Sequence, residues 1–346
     1  MRVHHSRSAK TGPRRSAPTG GATPSGDGSA TDRVDLYAEV TARIIGELEA
    51  GRVPWAQPWG RDGVPAPGMP RNALTARCYS GINVLALWGA VIEHGFASQA
   101  WLTFKQAIAA GGTVRKGERG TTVVYADSFV PDGEKARAVD TGKAAKAVPF
   151  LKRFTVFNVA QCEGLRPGLG DGHDLALAER EIVPVAEAVI AASGVGFQVG
   201  GDEAFYMPSR DIVQVPPQPA FHDQINFYRT VLHELTHATG HPSRLDRKLV
   251  TAFGTKDYAR EELVAEMGSA FLCAALGIVP TVRHADYIAS WLDVLRADLS
   301  EDAAVRGTGA PRGRAIFRAA SAASKAADWL LARHAEAQAD RLAVAA

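Results

Sequence analysis

Cysteine is scarce in this chain of 346 residues, and long apolar runs are missing. The three cysteines, Cys78, Cys162 and Cys273, stand far apart and form no C-x-x-C pair. This spacing excludes a disulfide framework and a thiolate zinc site, and it is typical of a reducing compartment. No stretch approaches the roughly 18 apolar residues of a membrane-spanning helix, and no apolar signal segment begins the sequence. We therefore expect a cytoplasmic protein without a membrane partner.

An excess of one charge is also missing. The chain has 39 Lys and Arg against 37 Asp and Glu, which gives a formal net charge of +2. This balance does not by itself indicate a nucleic-acid partner, so the local distribution of charge matters more. An apolar fraction of 46% is typical of a globular protein, and the length is sufficient for two ordinary domains.

The clearest motif is H-E-x-x-H, which lies within Thr230–Arg244 and consists of His233, Glu234 and His237. In a helix the two histidines are one turn apart on the same face, so both imidazoles can bind one zinc ion. A glutamate beside a metal-bound water is suited to act as a general base. We predict His233 and His237 as ligands of Zn²⁺, or of another divalent metal, and Glu234 as the catalytic base.

A catalytic zinc ion usually has three protein ligands, so one more must be found. The extended form of the motif requires a histidine where this chain has Ser243. A second helix, predicted over 258–276, carries Glu262 and Glu266 four residues apart on one stripe. We predict Glu262 as the third ligand and Glu266 as a hydrogen-bond acceptor for a ligand histidine. Glu261 projects about a quarter-turn away and ranks lower, and a solvated acidic face remains the alternative for this pair.

The first half of the chain combines cations with aromatic side chains. Residues 1–31 are rich in Ser, Thr, Gly and Pro, and we predict a disordered basic arm there. Further along, basic and aromatic residues alternate in a way that suits single-stranded nucleic acid, although a basic face over an ordinary aromatic core is the alternative. The candidate contacts are Arg71, Arg77, Lys105, Arg115, Lys116, Arg119, Lys152, Arg153, Trp101 and Tyr125.

Periodicity and breaker residues predict the elements of both halves. In the first half they indicate helices over 35–50, 80–94 and 101–110, and strands over 121–130 and 150–159 joined by a long polar loop over 131–149. A Gly/Pro-rich stretch at 164–172 indicates a domain boundary. In the second half they indicate a helix over 174–193, three short strands within 195–215, the motif helix from about 220, the helix over 258–276, and two more over 284–298 and 314–335.

Many separate stretches resemble the ArdC family of antirestriction proteins. They include VTARIIGELEAG, PW-x-x-PW, RNALTARCYSGINVLALW, GGTVRKGERGTTVVY, FYMPSRDIVQVP, FYRTVLHELTHATGH and EELVAEMGSAFLCAALGI. Similar modules occur in plasmid TraC-type primases. The resemblance implies an α+β protein of two domains, with helices and an antiparallel sheet that bind single-stranded DNA over 32–165, a linker over 166–178, and a zincin-like metallopeptidase domain over 179–340.

The resemblance also implies a role, which is the protection of incoming plasmid or mobile-element DNA from host restriction. It carries over His233, His237 and Glu262 as metal ligands and Glu234 as the base of a gluzincin-like peptidase. The partners implied are single-stranded DNA, double-stranded DNA as a further candidate, and a host restriction or DNA-binding protein as peptidase target. The main alternative is a non-catalytic DNA-coating protein whose metal only stabilises the fold. A primase accessory module is a third hypothesis, but no polymerase-type carboxylate cluster in the sequence supports it.

Overall fold

A computed structural model describes residues 36–56, 68–169, 179–249, 255–279, 287–300 and 312–345. The predicted basic arm and most of the predicted linker lie outside these ranges. From Leu36 onward the chain forms one compact unit that mixes helices and sheets, as the predicted α+β class requires. No helix among the described residues is long and apolar enough to cross a membrane.

The first half contains a four-stranded sheet packed against helices. Its elements are α1 (Leu36–Glu49), β1 (Arg71–Asn72), α2 (Ile82–His94), β2 (Ala100–Thr103), α3 (Phe104–Ala109), β3 (Thr113–Val114), β4 (Thr121–Phe129), α4 (Asp132–Thr141), β5 (Val148–Asn158) and β6 (Cys162–Glu163). The order in the main sheet is β1-β2-β5-β4, and only the β1–β2 pair is parallel. The long β4–β5 hairpin forms one edge of that sheet.

The second half places a small sheet beside long helices. Its elements are α5 (Glu179–Ala192), β7 (Gly196–Val199), β8 (Phe205–Met207), β9 (Ile212–Val215), α6 (Gln224–Ala238), α7 (Lys256–Ala275), α8 (Ile288–Leu299) and α9 (Ala315–Ala345). The strand order is β7-β9-β8, with β7 parallel and β8 antiparallel to the central strand. Helices α6 and α7 pack on each other and carry the two motifs that the sequence singled out.

Two predicted elements of the first half were wrong. The predicted loop over 131–149 contains helix α4, whose first turn carries Asp132 and Glu134, which stabilise the positive end of the helix dipole. Gly142 ends α4 in the left-handed conformation that favours glycine. The predicted helix over 101–110 begins only at Phe104, and its first residues belong instead to strand β2.

A hydrogen-bonded cap explains the later start of α3. The hydroxyl of Thr103 accepts a bond from the backbone N–H of Gln106, and the side chain of Gln106 bonds back to the cap residue. This reciprocal cap fixes the first turn of the helix at Phe104. Preceding residues are therefore free to pair with β5, and Trp101 enters the core from the sheet.

One hydrophobic core runs through both halves. Trp88 of α2 packs edge-on against Phe271 of α7, with ring centroids 5.7 Å apart. Trp55, which is fully buried, lies 5.6 Å from Trp291 of α8 in the same measure. Burying a large aromatic ring contributes about 1.5–3 kcal/mol each, so these contacts join the halves firmly. The predicted domain limits at 165 and 179 stay a prediction, since the core is continuous across them.

Candidate functional site

Helix α6 presents the two motif histidines from a buried position. Its apolar side chains pack into the core, and it ends just before Gly240. The rings of His233 and His237 lie 4.9 Å apart between centroids at an interplanar angle of 79°. His233 is only 2% exposed, and Glu234 is buried beside it in the sequence. The one-turn spacing therefore brings both imidazoles together inside the protein, as the motif predicts.

Helix α7 brings a carboxylate to the same point. One oxygen of Glu262 lies 3.5 Å from Nε2 of His233, and the other lies 3.5 Å from Nε2 of His237. One ligand atom from each of these three residues falls within 4.8 Å of the others. Two imidazole nitrogens and one carboxylate are the donor set of a catalytic divalent metal that keeps one position for water. The residues present thus fit a metal ion held by His233, His237 and Glu262.

The opposite ring nitrogens face further carboxylates. Nδ1 of His237 lies 3.3 Å from Glu261, and Nδ1 of His233 lies 3.8 Å from Glu266, which is longer than a hydrogen bond. A carboxylate at the far nitrogen fixes the tautomer of a ligand histidine and leaves Nε2 available for metal. The sequence predicted this role for Glu266 but not for Glu261, whose neighbourhood to His237 is a new finding.

Arg247 holds Glu261 in place. Its Nη2 and Nε donate to the two oxygens of Glu261 at 2.8 and 3.3 Å. The same guanidinium also donates to the hydroxyl of Thr239 at 2.6 Å and to the carbonyl of Thr236 at 2.7 Å. Arg247 could not be predicted from the sequence, because it follows the helix in a loop and no helical spacing relates it to the motif.

The buried histidines and glutamates of the metal centre shift one another's pKa values. Burial alone would lower the pKa of His237, but bonds and charges from Glu261 and Glu262 outweigh it and raise that pKa to about 10. Burial alone would raise the pKa of Glu262, but His233 and His237 hold it well below its ordinary value. The metal-free protein therefore keeps a proton on the histidine side of this cluster, and binding of a divalent cation must displace it.

A glycine allows the two site helices to approach closely. A Cβ atom on Gly268 would lie 2.5 Å from Cγ2 of Thr236, well inside contact distance. The hydroxyl of Thr236 bonds to the carbonyl of Leu232, so its side chain cannot turn away without losing a buried hydrogen bond. Gly268 therefore sets the short distance between α6 and α7 that Glu262 and Glu266 require.

A groove of about 1610 Å³ lies between the first and second halves. It is lined by strand β4, strand β5 and the turn around Arg77 on one side, and by Arg244, Arg247 and helix α9 on the other. Of the ten predicted DNA contacts, only Arg77 and Tyr125 line this groove. The remaining eight residues lie elsewhere on the molecule.

Those eight residues differ in their surroundings. Trp101 is fully buried in the core, so it cannot make the DNA contact that the sequence predicted for it. Arg115 is bonded to Glu118 at 2.6 Å, and Arg153 forms an ion pair with Glu39 on α1. The others are at least partly exposed to solvent and outside the groove; they are Arg71, Lys105, Lys116, Arg119 and Lys152.

Each half of the chain matches the model of a known protein domain. Residues 34–157 match the model of the N-terminal domain of anti-restriction factor ArdC, and residues 184–306 match a zincin-like metallopeptidase model. A crystal structure of the antirestriction ArdC protein from plasmid R388, in its metal-free form, is 39% identical with a TM-score of 0.68. That match covers 87% of this chain and 98% of the R388 chain. The chain belongs to the ArdC family of antirestriction proteins.

Other relatives of this ArdC-family chain are informative in different ways. The Mn(II)-bound structure of the R388 protein is 38% identical with a TM-score of 0.67, and covers 87% of this chain and 98% of that one. An uncharacterized protein of Sinorhizobium fredii, y4eC, is 39% identical over 88% of this chain and 94% of its own length. DNA primase TraC of Escherichia coli is 38% identical over 86% of this chain, which spans only 27% of the primase.

Proposed function

We propose that this ArdC-family protein protects incoming DNA from restriction by binding single-stranded DNA and by cleaving a protein at its metal centre. The observation that carries the proposal is the convergence of His233, His237 and Glu262 next to Glu234. A metal site that serves only the fold is usually closed by a fourth protein ligand. Here three donors converge, and the motif supplies a glutamate that a structural site does not need.

The chemistry proposed is hydrolysis of a peptide bond without a covalent enzyme intermediate. A zinc ion, or another divalent metal, would acidify a bound water and polarise the scissile carbonyl. His233, His237 and Glu262 would hold it, and Glu261 and Glu266 would keep the two imidazoles oriented. Glu234 would accept a proton from the attacking water and deliver it to the departing amine.

Two kinds of partner follow from this proposal. The basic and aromatic surface of the first half supports binding of single-stranded DNA, with double-stranded DNA as a weaker candidate. The peptidase target would be a host restriction subunit or another DNA-binding protein, which the bound DNA would bring to the centre. TraC similarity supports a DNA partner as well, since the shared region belongs to a primase.

The burial of the centre favours a second candidate function. His233, Glu234 and Glu262 are each no more than 5% exposed, so a peptide would need an opening to reach them. In this alternative the protein coats DNA, and the metal only joins α6 to α7. The two functions differ in whether the carboxylate of Glu234 is needed for protection.

The test compares the wild type with Glu234→Gln, which keeps the size of the side chain and removes the base. Both proteins are assayed for metal content, for affinity to a labelled oligonucleotide, and for survival of transferred DNA in a restricting host. We expect the variant to keep metal and DNA binding and to lose protection. The exposed Glu203→Gln serves as the control. Full protection by Glu234→Gln would reject the peptidase function and leave the DNA coat.

A further inference from the structure

We infer that the C-terminal helix α9 forms one wall of the DNA-binding groove, so that a single strand lies between the two halves of the molecule. This inference rests on the proposed single-stranded DNA binding and assigns it a path. Bases would stack at Tyr125 and Phe154 on the β4–β5 hairpin, and phosphates would contact Arg318 and Lys325 on α9.

The first wall carries an exposed aromatic pair. Tyr125 is 52% exposed and Phe154 is 46% exposed, and their rings meet edge to face at 6.4 Å between centroids. Neither ring is buried, in contrast to the fully buried Trp88 of α2. Exposed aromatic rings beside a basic groove are the stacking platforms that single-stranded nucleic acids use.

The opposite wall is a basic stripe along α9. Arg318, Ser321 and Lys325 recur at spacings of three and four residues, so they share one face of the helix, and Arg314 lies just before its first residue; all four line the groove. Arg318 and Lys325 are exposed and about 10 Å apart along the helix axis. Asp328 continues this face beyond Lys325 and ends the stripe.

The groove has an excess of positive charge. Among the described residues no aspartate or glutamate lines it, whereas six cations do: Arg77, Arg244, Arg247, Arg314, Arg318 and Lys325. Three of the six already serve the fold, since Arg244 binds Asp211, Arg247 binds Glu261, and Arg314 lies 4.5 Å above the ring of Tyr37. Within the described part of the chain, no acidic side chain lies at ion-pair distance from the other three. Those three cations are therefore available to phosphates.

The combination of the two walls selects one class of partner. Cations alone would accept any polyanion, but stacking on Tyr125 requires bases that are not already paired and stacked in a duplex. A single strand satisfies both walls at once. A duplex would use only the phosphate contacts, and should bind more weakly.

The test measures binding of the full-length protein to a fluorescent oligothymidine by anisotropy at several salt concentrations. Arg318→Ala/Lys325→Ala should weaken binding at least tenfold and reduce the salt slope by about 1.4, since each lost phosphate contact contributes about 0.7. The control Arg333→Ala/Arg341→Ala removes two charges from the same helix outside the groove and should bind like the wild type. Circular dichroism checks that both variants fold.

A second variant separates this inference from the proposed function. Tyr125→Ala/Phe154→Ala should weaken oligothymidine binding at least tenfold while leaving the salt slope unchanged. If only this variant loses affinity and the α9 variant binds normally, single-stranded DNA binding stands and the role of α9 is rejected. If the wild type does not bind oligothymidine, both fail. Equal affinity for a duplex of the same length would reject stacking as the basis of selection.

A chemical footprint tests the path directly. Cys78 lines the groove and is exposed, whereas Cys273 is buried in the core. Saturating oligothymidine should slow alkylation of Cys78 by N-ethylmaleimide several-fold in the native wild type, and should leave the slow reaction of Cys273 unchanged. Unchanged alkylation of Cys78 at saturating oligonucleotide would place the strand elsewhere.

Discussion

The metal centre and the groove are built in opposite ways. All three donors of the metal centre lie on two neighbouring helices. On each helix, a spacing of four residues places the side chains of the centre on one face. The groove takes its walls from segments that lie between Tyr37 and Lys325 in the sequence. A site on regular elements is therefore visible as spacing in the sequence, whereas a site between packed segments exists only once the fold has formed.

The largest effect should come from removing the ligand that joins the two helices of the centre. Glu262→Ala deletes the one carboxylate that approaches both histidines, so the remaining imidazoles cannot hold a metal alone. We expect metal affinity to fall more than about 1000-fold, since structural zinc sites are worth about 10 kcal/mol or more. The measurement is metal content after dialysis, with the exposed Glu203→Ala as control. Retention of one metal per chain would show that another residue supplies the third ligand.

The next largest effect should come from Gly313, which lies just before α9 and packs against α1. Gly313 has φ of +73°, and a Cβ there would lie 2.7–2.9 Å from backbone atoms of Tyr37 and Ala38. Gly313→Ala should lower the free energy of unfolding by about 3 kcal/mol, as strained backbone and overpacking combine. Gly142→Ala is the matched control, because Gly142 shares a positive φ of 65° but has nothing within 4 Å of an added Cβ. Urea denaturation compares the two.

The two glycines separate strain from packing. Gly142→Ala should lose only about 1 kcal/mol, which is the cost of the left-handed backbone alone. If Gly313→Ala loses no more than this, the contact between the start of α9 and helix α1 is loose, and the groove has a less rigid wall than the centre.

The metal centre was more predictable from the sequence than the groove was. Helical periodicity was sufficient to bring His233, His237 and Glu262 together, because all three lie on helices that formed as predicted. It could not find Arg247, which reaches Glu261 from a loop. Nor could it tell that Glu261 faces His237, since that depends on how α7 is rotated against α6.

The DNA contacts were predicted from composition, which carries no information on packing. Trp101 was read as part of a helix, and the reciprocal cap at Thr103 moved it into a central strand and hence into the core. Arg318 and Lys325 were not considered, because they lie in the half of the chain that carries the metal motif. The basic residues of α9 could have been recognised from their helical spacing, but the opposite wall of the groove could not be predicted from the sequence.

A smaller effect should separate holding a metal ligand from being one. Glu261→Gln keeps a hydrogen-bond acceptor for Nδ1 of His237 but removes the charge that Arg247 binds. We expect metal affinity to fall about 10- to 100-fold, as is usual for carboxylates behind ligand histidines. Competition with a chelating dye measures it. A loss as large as that of Glu262→Ala would mean that Glu261 itself binds the metal.

The smallest effect should appear where a groove cation serves the fold. Arg244 donates to both oxygens of Asp211 at 2.7 Å, and these bonds hold the pKa of Asp211 below its ordinary value although burial opposes them. Because the folded pKa is depressed, this pair stabilises the protein above the unfolded pKa near 3.9, and its contribution is lost as pH falls through the folded pKa. Asp211→Asn, which tolerates the local φ of 51°, should lose about 1 kcal/mol at pH 7, since the carboxylate is partly screened by water. In urea titrations the difference in the free energy of unfolding between variant and wild type should disappear below about pH 4. A difference independent of pH would mean that Asp211 stabilises the fold by accepting hydrogen bonds from Arg244 and Tyr206, and that its negative charge contributes little.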